Sequence, residues 1–153
     1  MEQIAQIEGD TLKKCDEVMT KGPFCCLPTD SVARAAELMK SRNIGSIPVI
    51  ENEKNQKLVG IVTDRDLTLA IVAVGRDAKF TNVDAVMTYK VVSCLADDDL
   101  QKALDAMANH KLRRIPIVDH DNRIVGIITQ ADVATRVNQP EKTAEMVKKI
   151  SQN

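Results

Sequence analysis

The sequence predicts an α+β fold built from two β-α-β-β-α repeats with pseudo-two-fold symmetry, and three observations predict it. The first is internal repetition: Val18-Met19-Thr20 returns as Val86-Met87-Thr88, and Ile47-Pro48-Val49-Ile50 as Ile115-Pro116-Ile117-Val118, both 68 residues later. Val59-Gly60-Ile61-Val62-Thr63 returns as Val125-Gly126-Ile127-Ile128-Thr129, 66 residues later. The change of offset falls in a polar connection, where loop length costs little. The second is a matched pair of apolar stripes with the i, i+3, i+4, i+7 spacing of a core-facing helix: Val32, Ala35, Ala36, Met39 and Leu100, Ala103, Leu104, Met107. The third is the matched β-branched runs Leu58 to Val62 and Ile124 to Ile128. Two copies are too few for a solenoid and imply a pair sharing one core.

Taken in order, Thr11 to Met19 reads as a short helix ahead of the first repeat. Cys25-Cys26-Leu27 and Val91-Val92-Ser93-Cys94-Leu95 are strand-like. Thr29-Asp30-Ser31 and Asp97-Asp98-Asp99 are helix-start signals for the two stripes. The Ile-Pro strands follow, then a polar turn, the Gly-containing strand, and a helix starting at Thr63 or Thr129. Pro48 and Pro116 cannot donate to a ladder, so they mark an edge position or a strand end whose free carbonyls face a ligand. Glu141 to Ile150 forms a C-terminal helix. The expected division is a tail (1–10), a first repeat (11–80), a second repeat (81–138) and a C-terminal helix and tail (139–153).

The 153 residues suffice for a buried core without disulfides or metal. Twenty-one Lys and Arg against twenty-two Asp and Glu, a formal charge of −1, argue against a general nucleic-acid or anionic-membrane binder. Aromatics are 2% of residues (Phe24, Phe80, Tyr89), which argues against base stacking on a single strand. The N-terminus lacks signal-peptide character, and the densest apolar run, Leu67 to Val74, is far below the roughly 20 residues of a membrane span. These features point to a cytoplasmic protein. Cys15, Cys25, Cys26 and Cys94 have no C-x-x-C spacing and read as thiols.

The segments Gly60-Ile61-Val62-Thr63-Asp64-Arg65-Asp66 and Gly126-Ile127-Ile128-Thr129-Gln130-Ala131-Asp132 share glycine, two apolar residues, threonine, two variable positions and aspartate. One reading is a capping box, in which the Thr hydroxyl accepts from the third helical N–H and the Asp reaches back. The other is a ligand mouth at the strand-to-helix junction. There a carboxylate can accept both hydroxyls of a ribose diol, and a helix start favours phosphate. Repetition alone does not choose, because caps are duplicated too.

These segments carry a family resemblance. Val18-Met19-Thr20, Ile44 to Ile50 and Gly60 to Asp66, then Val86-Met87-Thr88, Leu112 to Val118 and Gly126 to Asp132, resemble the CBS domain, named for cystathionine β-synthase. The pair, from about Thr11 to Val137, looks like a CBS-domain pair or Bateman module. The resemblance implies two clefts holding adenine-containing ligands: AMP, ADP, ATP or S-adenosylmethionine. It implies Asp66 and Asp132 on ribose hydroxyls, with Thr63 and Thr129 beside the ribose or phosphate. Ile44 to Pro48 and Leu112 to Pro116 would line the base, with Ile44, Ile47, Leu112 and Ile115 sandwiching it and Pro48 and Pro116 closing each segment. It also implies a homodimer, a flat disc of four repeats.

The two implied sites differ in charge. Arg65 lies inside the first Thr-x-x-Asp where the second has Ala131, while Arg113 and Arg114 precede the second Ile-Pro strand where the first has Gly45 and Ser46. Arginine suits bidentate phosphate recognition, so each cleft has its own cation or all three serve one cleft. Solvated surface arginine is the plain alternative. Cys26 and Cys94 are equivalent and read as small apolar core residues, Met19 and Met87 as packing residues, and His110 and His120 as surface residues.

No nucleophile with a positioned base, paired carboxylates or metal-ligand set stands out, so the expected function is non-catalytic regulation. Binding of an adenine nucleotide, with no cofactor required, would be passed to a protein target or to the chain's own oligomer. The alternative is a structural or stress-related protein with empty clefts or another ligand.

Overall fold

The computed structural model describes residues 13–137 and 140–152. The expected N-terminal tail, the first two residues of the expected leading helix, the end of the second repeat at Asn138 and the terminal Asn153 lie outside the described residues. The elements are α1 (Cys15–Val18), β1 (Thr20–Lys21), α2 (Val32–Arg42), β2 (Ser46–Ile50), β3 (Leu58–Thr63) and α3 (Asp64–Leu67). A π-helical turn (Thr68–Val72) and a 3-10 turn (Val83–Ala85) follow. The chain continues through β4 (Cys94–Leu95), α4 (Leu100–Asn109), β5 (Arg114–Val118), β6 (Ile124–Thr129), α5 (Gln130–Arg136) and α6 (Pro140–Ser151).

The chain divides into two compact units that cut across the linear order of the repeats. One unit gathers residues 13–22, 92–121, 125–137 and 140–152, and the other residues 23–91 with 122–124. The reason lies in the Val-Met-Thr segments. In the first unit β1 pairs antiparallel with β6, Thr20 opposite Ile127, in a sheet of order β1-β6-β5-β4. The second unit repeats the order. Thr88 exchanges both backbone hydrogen bonds with Ile61 (2.9 and 3.0 Å), β3 pairs with β2, and Cys26 bridges Val49 on the far side. Each Val-Met-Thr segment thus edges the sheet whose Gly-containing strand belongs to the other repeat.

A shape match holds each segment there. A methyl group at Gly60 would come within 2.6 Å of Met87 Sδ, and one at Gly126 would collide with Met19 Sδ and press on Thr20 O. Met19 and Met87 are both buried at 8% exposure, so they pack as the sequence suggests.

The helices follow their stripes with one exception. Leu100, Ala103, Leu104 and Met107 of α4 are all buried, whereas on α2 Val32, Ala35 and Met39 are buried and Ala36 is exposed. Ser31 caps α2, its hydroxyl accepting from Arg34 N at 3.1 Å, and Asp30 accepts instead from Leu27 N at 2.8 Å. In the other unit Asp98 accepts from Leu95 N at 2.8 Å, and Asp99, preceding α4, turns its carboxylate to Lys14. The strand expected over Cys25–Leu27 is reduced to the bridge at Cys26, because Pro28 has no N–H to extend the ladder to Ile50 O, whereas its counterpart Ala96 donates to Val118 O at 2.9 Å. Pro48 and Pro116 lie inside strands rather than at ends. The Pro48 carbonyl accepts from Cys26 N at 3.1 Å, so it is not a free carbonyl facing a ligand. The C-terminal helix α6 buries Met146 and Ile150 in the core that contains Leu104 and Met107.

Candidate functional site

Both Thr-x-x-Asp segments form complete capping boxes. In the second unit Thr63 Oγ1 accepts from Asp66 N at 3.1 Å and Asp66 Oδ2 accepts from Thr63 N at 2.9 Å. In the first, Thr129 Oγ1 accepts from Asp132 N at 3.1 Å and Asp132 Oδ2 accepts from Thr129 N at 3.0 Å. A box of this kind stabilises its helix by about 1 kcal/mol. It also fixes the rotamer of a carboxylate while leaving a second oxygen for another partner.

Each box is tied to the segment before the Ile-Pro strand of its own unit. Asp64 N donates to Gly45 O at 2.9 Å, and Gln130 N donates to Arg113 O at 3.0 Å. The fold therefore brings Ile44–Pro48 to Thr63 and Asp66, and Leu112–Pro116 to Thr129 and Asp132. Within those segments the apolar residues separate by depth. Ile47 and Ile115 are fully buried among core side chains, so they are not surfaces for a base. Ile44 and Leu112 are half-buried and remain accessible, and Pro48 and Pro116 are buried. Arg65 and Arg113 are exposed, while Arg114 is half-buried at the start of β5.

The two carboxylates have different surroundings. Asp132 is 8% exposed, and its Oδ1 accepts from Thr20 Oγ1 at 3.1 Å with Arg136 Nε 3.8 Å away. Arg136 Nη1 also donates to Val18 O and Met19 O, each at 3.0 Å, so one guanidinium ties the end of α1 and the residue before β1 to α5. Beside them lies an open recess of about 780 Å³ lined by Asp16, Glu17, Met19, Thr20, Lys21 and Arg136. Asp66 is half-buried, and the position matching Arg136 is Ala70. Sequence reasoning missed Thr20 and Arg136 as site residues. The available signals were the quoted Val-Met-Thr motif and the i, i+4 spacing of Asp132 and Arg136.

The remaining reactive side chains are quiet. Burial pushes the Cys15 and Cys26 thiols up to about 12 and the Cys25 thiol up to about 11, and it also raises Cys94. Protonated thiols are poor nucleophiles and ligands at neutral pH. His120 Nε2 lies 2.8 Å from Asp97 Oδ2 on the exposed surface, and that hydrogen bond raises the imidazole pKa and lowers the carboxyl's. Among the described residues, no group of three or more His, Cys, Asp or Glu is placed to hold a metal ion. Nor is any described helix long and apolar enough to cross a membrane.

The profile described as "CBS domain" matches residues 15–73 and 83–138, which span both Thr-x-x-Asp segments. The chain belongs to the CBS-domain family. The α+β architecture is accordingly that of a CBS-domain pair. The chain is 38% identical over 135 residues to the CBS domain-containing protein YhcV of Bacillus subtilis, covering 88% of this chain and 93% of that one. It is 37% identical over 140 residues to the inosine-5'-monophosphate dehydrogenase of Methanocaldococcus jannaschii, covering 92% of this chain but only 26% of the enzyme. Among solved structures, CBSX2 in complex with AMP superposes with a TM-score of 0.68 at 28% identity, covering 80% of this chain and 94% of CBSX2.

Proposed function

We propose that this CBS-domain pair is a non-catalytic regulatory module whose Thr-x-x-Asp sites bind an adenine nucleotide, and that it passes the bound state to a partner protein or its own oligomer. The observation that carries the reading is the preset carboxylate: Asp66 Oδ2 is held by Thr63 N, which leaves Asp66 Oδ1 for the hydroxyls of a ribose. AMP, ADP, ATP and S-adenosylmethionine all present that diol. The accessible faces of Ile44 and Leu112 suit a base, and the exposed Arg65 and Arg113 suit a phosphate chain. The AMP complex of a relative with the same fold supports the adenine class. A homodimer in the cytoplasm is the expected working form, two-fold dimers being the commonest assemblies. Ligand coupling then follows linkage, the nucleotide shifting the assembly only by its difference in affinity for two states.

A thermal-shift and calorimetric titration with AMP, ADP, ATP and S-adenosylmethionine tests this. A ligand at 100 times its dissociation constant adds roughly 2.7 kcal/mol of stability. Asp66→Asn and Asp132→Asn keep an oxygen for the cap and remove the charge, so the binding response falls while the unliganded melting point is nearly kept. Absence of any shift in the wild-type protein overturns the proposal. The rival reading, a protein whose sites stay empty or take another ligand, draws its support from Asp132, whose second oxygen is already occupied by Thr20.

A further inference from the structure

Ser46, at the start of β2, is 5% exposed, and its hydroxyl has no hydrogen-bond partner. A buried hydroxyl left unpaired costs free energy, and most such groups in native proteins are satisfied. Among the described residues the other orphaned buried side-chain oxygen is that of Thr143, on the half-buried face of α6 in the other unit. Ser46 differs from it in position. Its Cα partner across the ladder is Thr63, and directly opposed residues of an antiparallel pair project to the same face. The orphaned hydroxyl therefore stands on the face of the sheet that carries the Thr63–Asp66 box. Asp64 N, one residue beyond Thr63, is bonded to Gly45 O, the residue before Ser46.

The repeat counterparts show the contrast. Position 114, matching Ser46, is an arginine, and Asp132 is covered by Thr20 and Arg136. On the Asp66 side Ala70 stands where Arg136 would be, so that position supplies no guanidinium to the carboxylate. One unit thus holds an unmet hydroxyl on the face of the half-buried Asp66, whereas in the other the matching position is an arginine and the carboxylate is bonded to Thr20.

We infer that the first nucleotide is taken by the Ser46–Thr63–Asp66 site, with the Ser46 hydroxyl hydrogen-bonding a polar atom of the nucleoside. The inference rests on the nucleotide reading above. Burial assigns the hydroxyl to the nucleoside rather than to the phosphate chain, which needs cations and water. Ser46 is a binding residue that also discriminates, because a ligand lacking a partner atom there leaves the hydroxyl unmet.

The test is calorimetric titration of AMP, ADP and ATP into the wild-type protein and the Ser46→Ala, Ser46→Cys and Asp66→Asn variants, with unliganded melting curves for each. Ser46→Ala and Ser46→Cys are expected to weaken the first binding event roughly 3- to 10-fold, by the same factor for every phosphate length that binds. The unliganded Ser46→Ala protein melts at the same temperature or up to roughly 4 °C higher, since an unsatisfied group has been removed. Asp66→Asn is expected to remove the first event, because it takes the charge from the carboxylate of that site. Unchanged affinity in both Ser46 variants, a loss that varies with phosphate length, or a first event that Asp66→Asn leaves within twofold overturns the inference while the nucleotide reading stands. A wild-type protein that binds none of the three overturns the reading itself and the inference with it.

Discussion

Met87 closes over Gly60 so tightly that a methyl group added at Gly60 would lie 2.6 Å from the Met87 sulfur. The contact explains why a glycine begins each Thr-x-x-Asp signature. It leaves room for the methionine of a Val-Met-Thr segment, and that segment then takes an edge of the sheet.

Substituting these glycines tests the match. Gly126→Ala is expected to cost more than Gly60→Ala, within the roughly 1–3 kcal/mol of an overpacked core. At Gly60 the three atoms nearest the added methyl all belong to the flexible Met87 side chain, whereas at Gly126 it also lies 3.0 Å from the backbone Thr20 O. Chemical denaturation of both variants gives the order. Adding Met87→Ala to Gly60→Ala should cost less than the sum of the single changes, because the clash has been removed.

Thr20→Val removes the hydroxyl that satisfies Asp132 Oδ1. A buried carboxylate oxygen left unmet costs about 1–3 kcal/mol, so the variant unfolds at lower denaturant. Arg136→Ala releases the Val18 and Met19 carbonyls and frees β1. The guanidinium is about half exposed, which holds the expected loss to about 1 kcal/mol. Hydrogen exchange at the Thr20 and Ile127 amides should rise in both variants while exchange in β2 and β3 stays unchanged.

The helix ends offer a gain. Asn43 (φ 52°) and Lys111 (φ 55°) occupy equivalent left-handed positions after α2 and α4, and the next N–H, of Ile44 or Leu112, returns to Met39 O or Met107 O. Asparagine tolerates that conformation and lysine does so less well. Lys111→Gly is expected to add about 0.5–1 kcal/mol, read as a higher denaturation midpoint with an unchanged slope.

The buried thiols set an alkaline limit. Cys15 and Cys26 titrate near 12 in the folded chain against an ordinary value of 9.0. Their contribution is fully present below pH 9. Above it the unfolded chain loses those protons while the folded chain keeps them, so stability falls from pH 9 toward 12. Melting curves across that range should show the decline, and Cys15→Ala with Cys26→Ala should flatten it. At pH 8 both thiols should react with an aromatic disulfide reagent only on unfolding.

Much of this was legible in the sequence because it is local. Stripe spacing found both central helices, and Thr-x-x-Asp found both capping boxes. Ala36 fitted the stripe but faces outward, since a spacing rule marks a face and not how wide a strip of it is covered. Equivalence of positions, likewise, says that two segments are alike and not which strand each will pair with. Thr20 beside Ile127 was therefore hidden. The burial of Ile47 and Ile115 and the orphaned Ser46 oxygen depend on the register of β2 against β3 and β5 against β6, which periodicity does not give.

The exchanged edge strands put the two units on different timetables as the chain leaves the ribosome. Ile61 and Thr88 are 27 residues apart, so that pairing closes soon after both emerge. Thr20 must wait for Ile127, 107 residues downstream, and until then β1 has no sheet to join. Loop closure over that span makes its unit the slower to assemble. A chain truncated after residue 124 would therefore carry a protease-resistant stretch over residues 23–91 and a digestible one over 13–22.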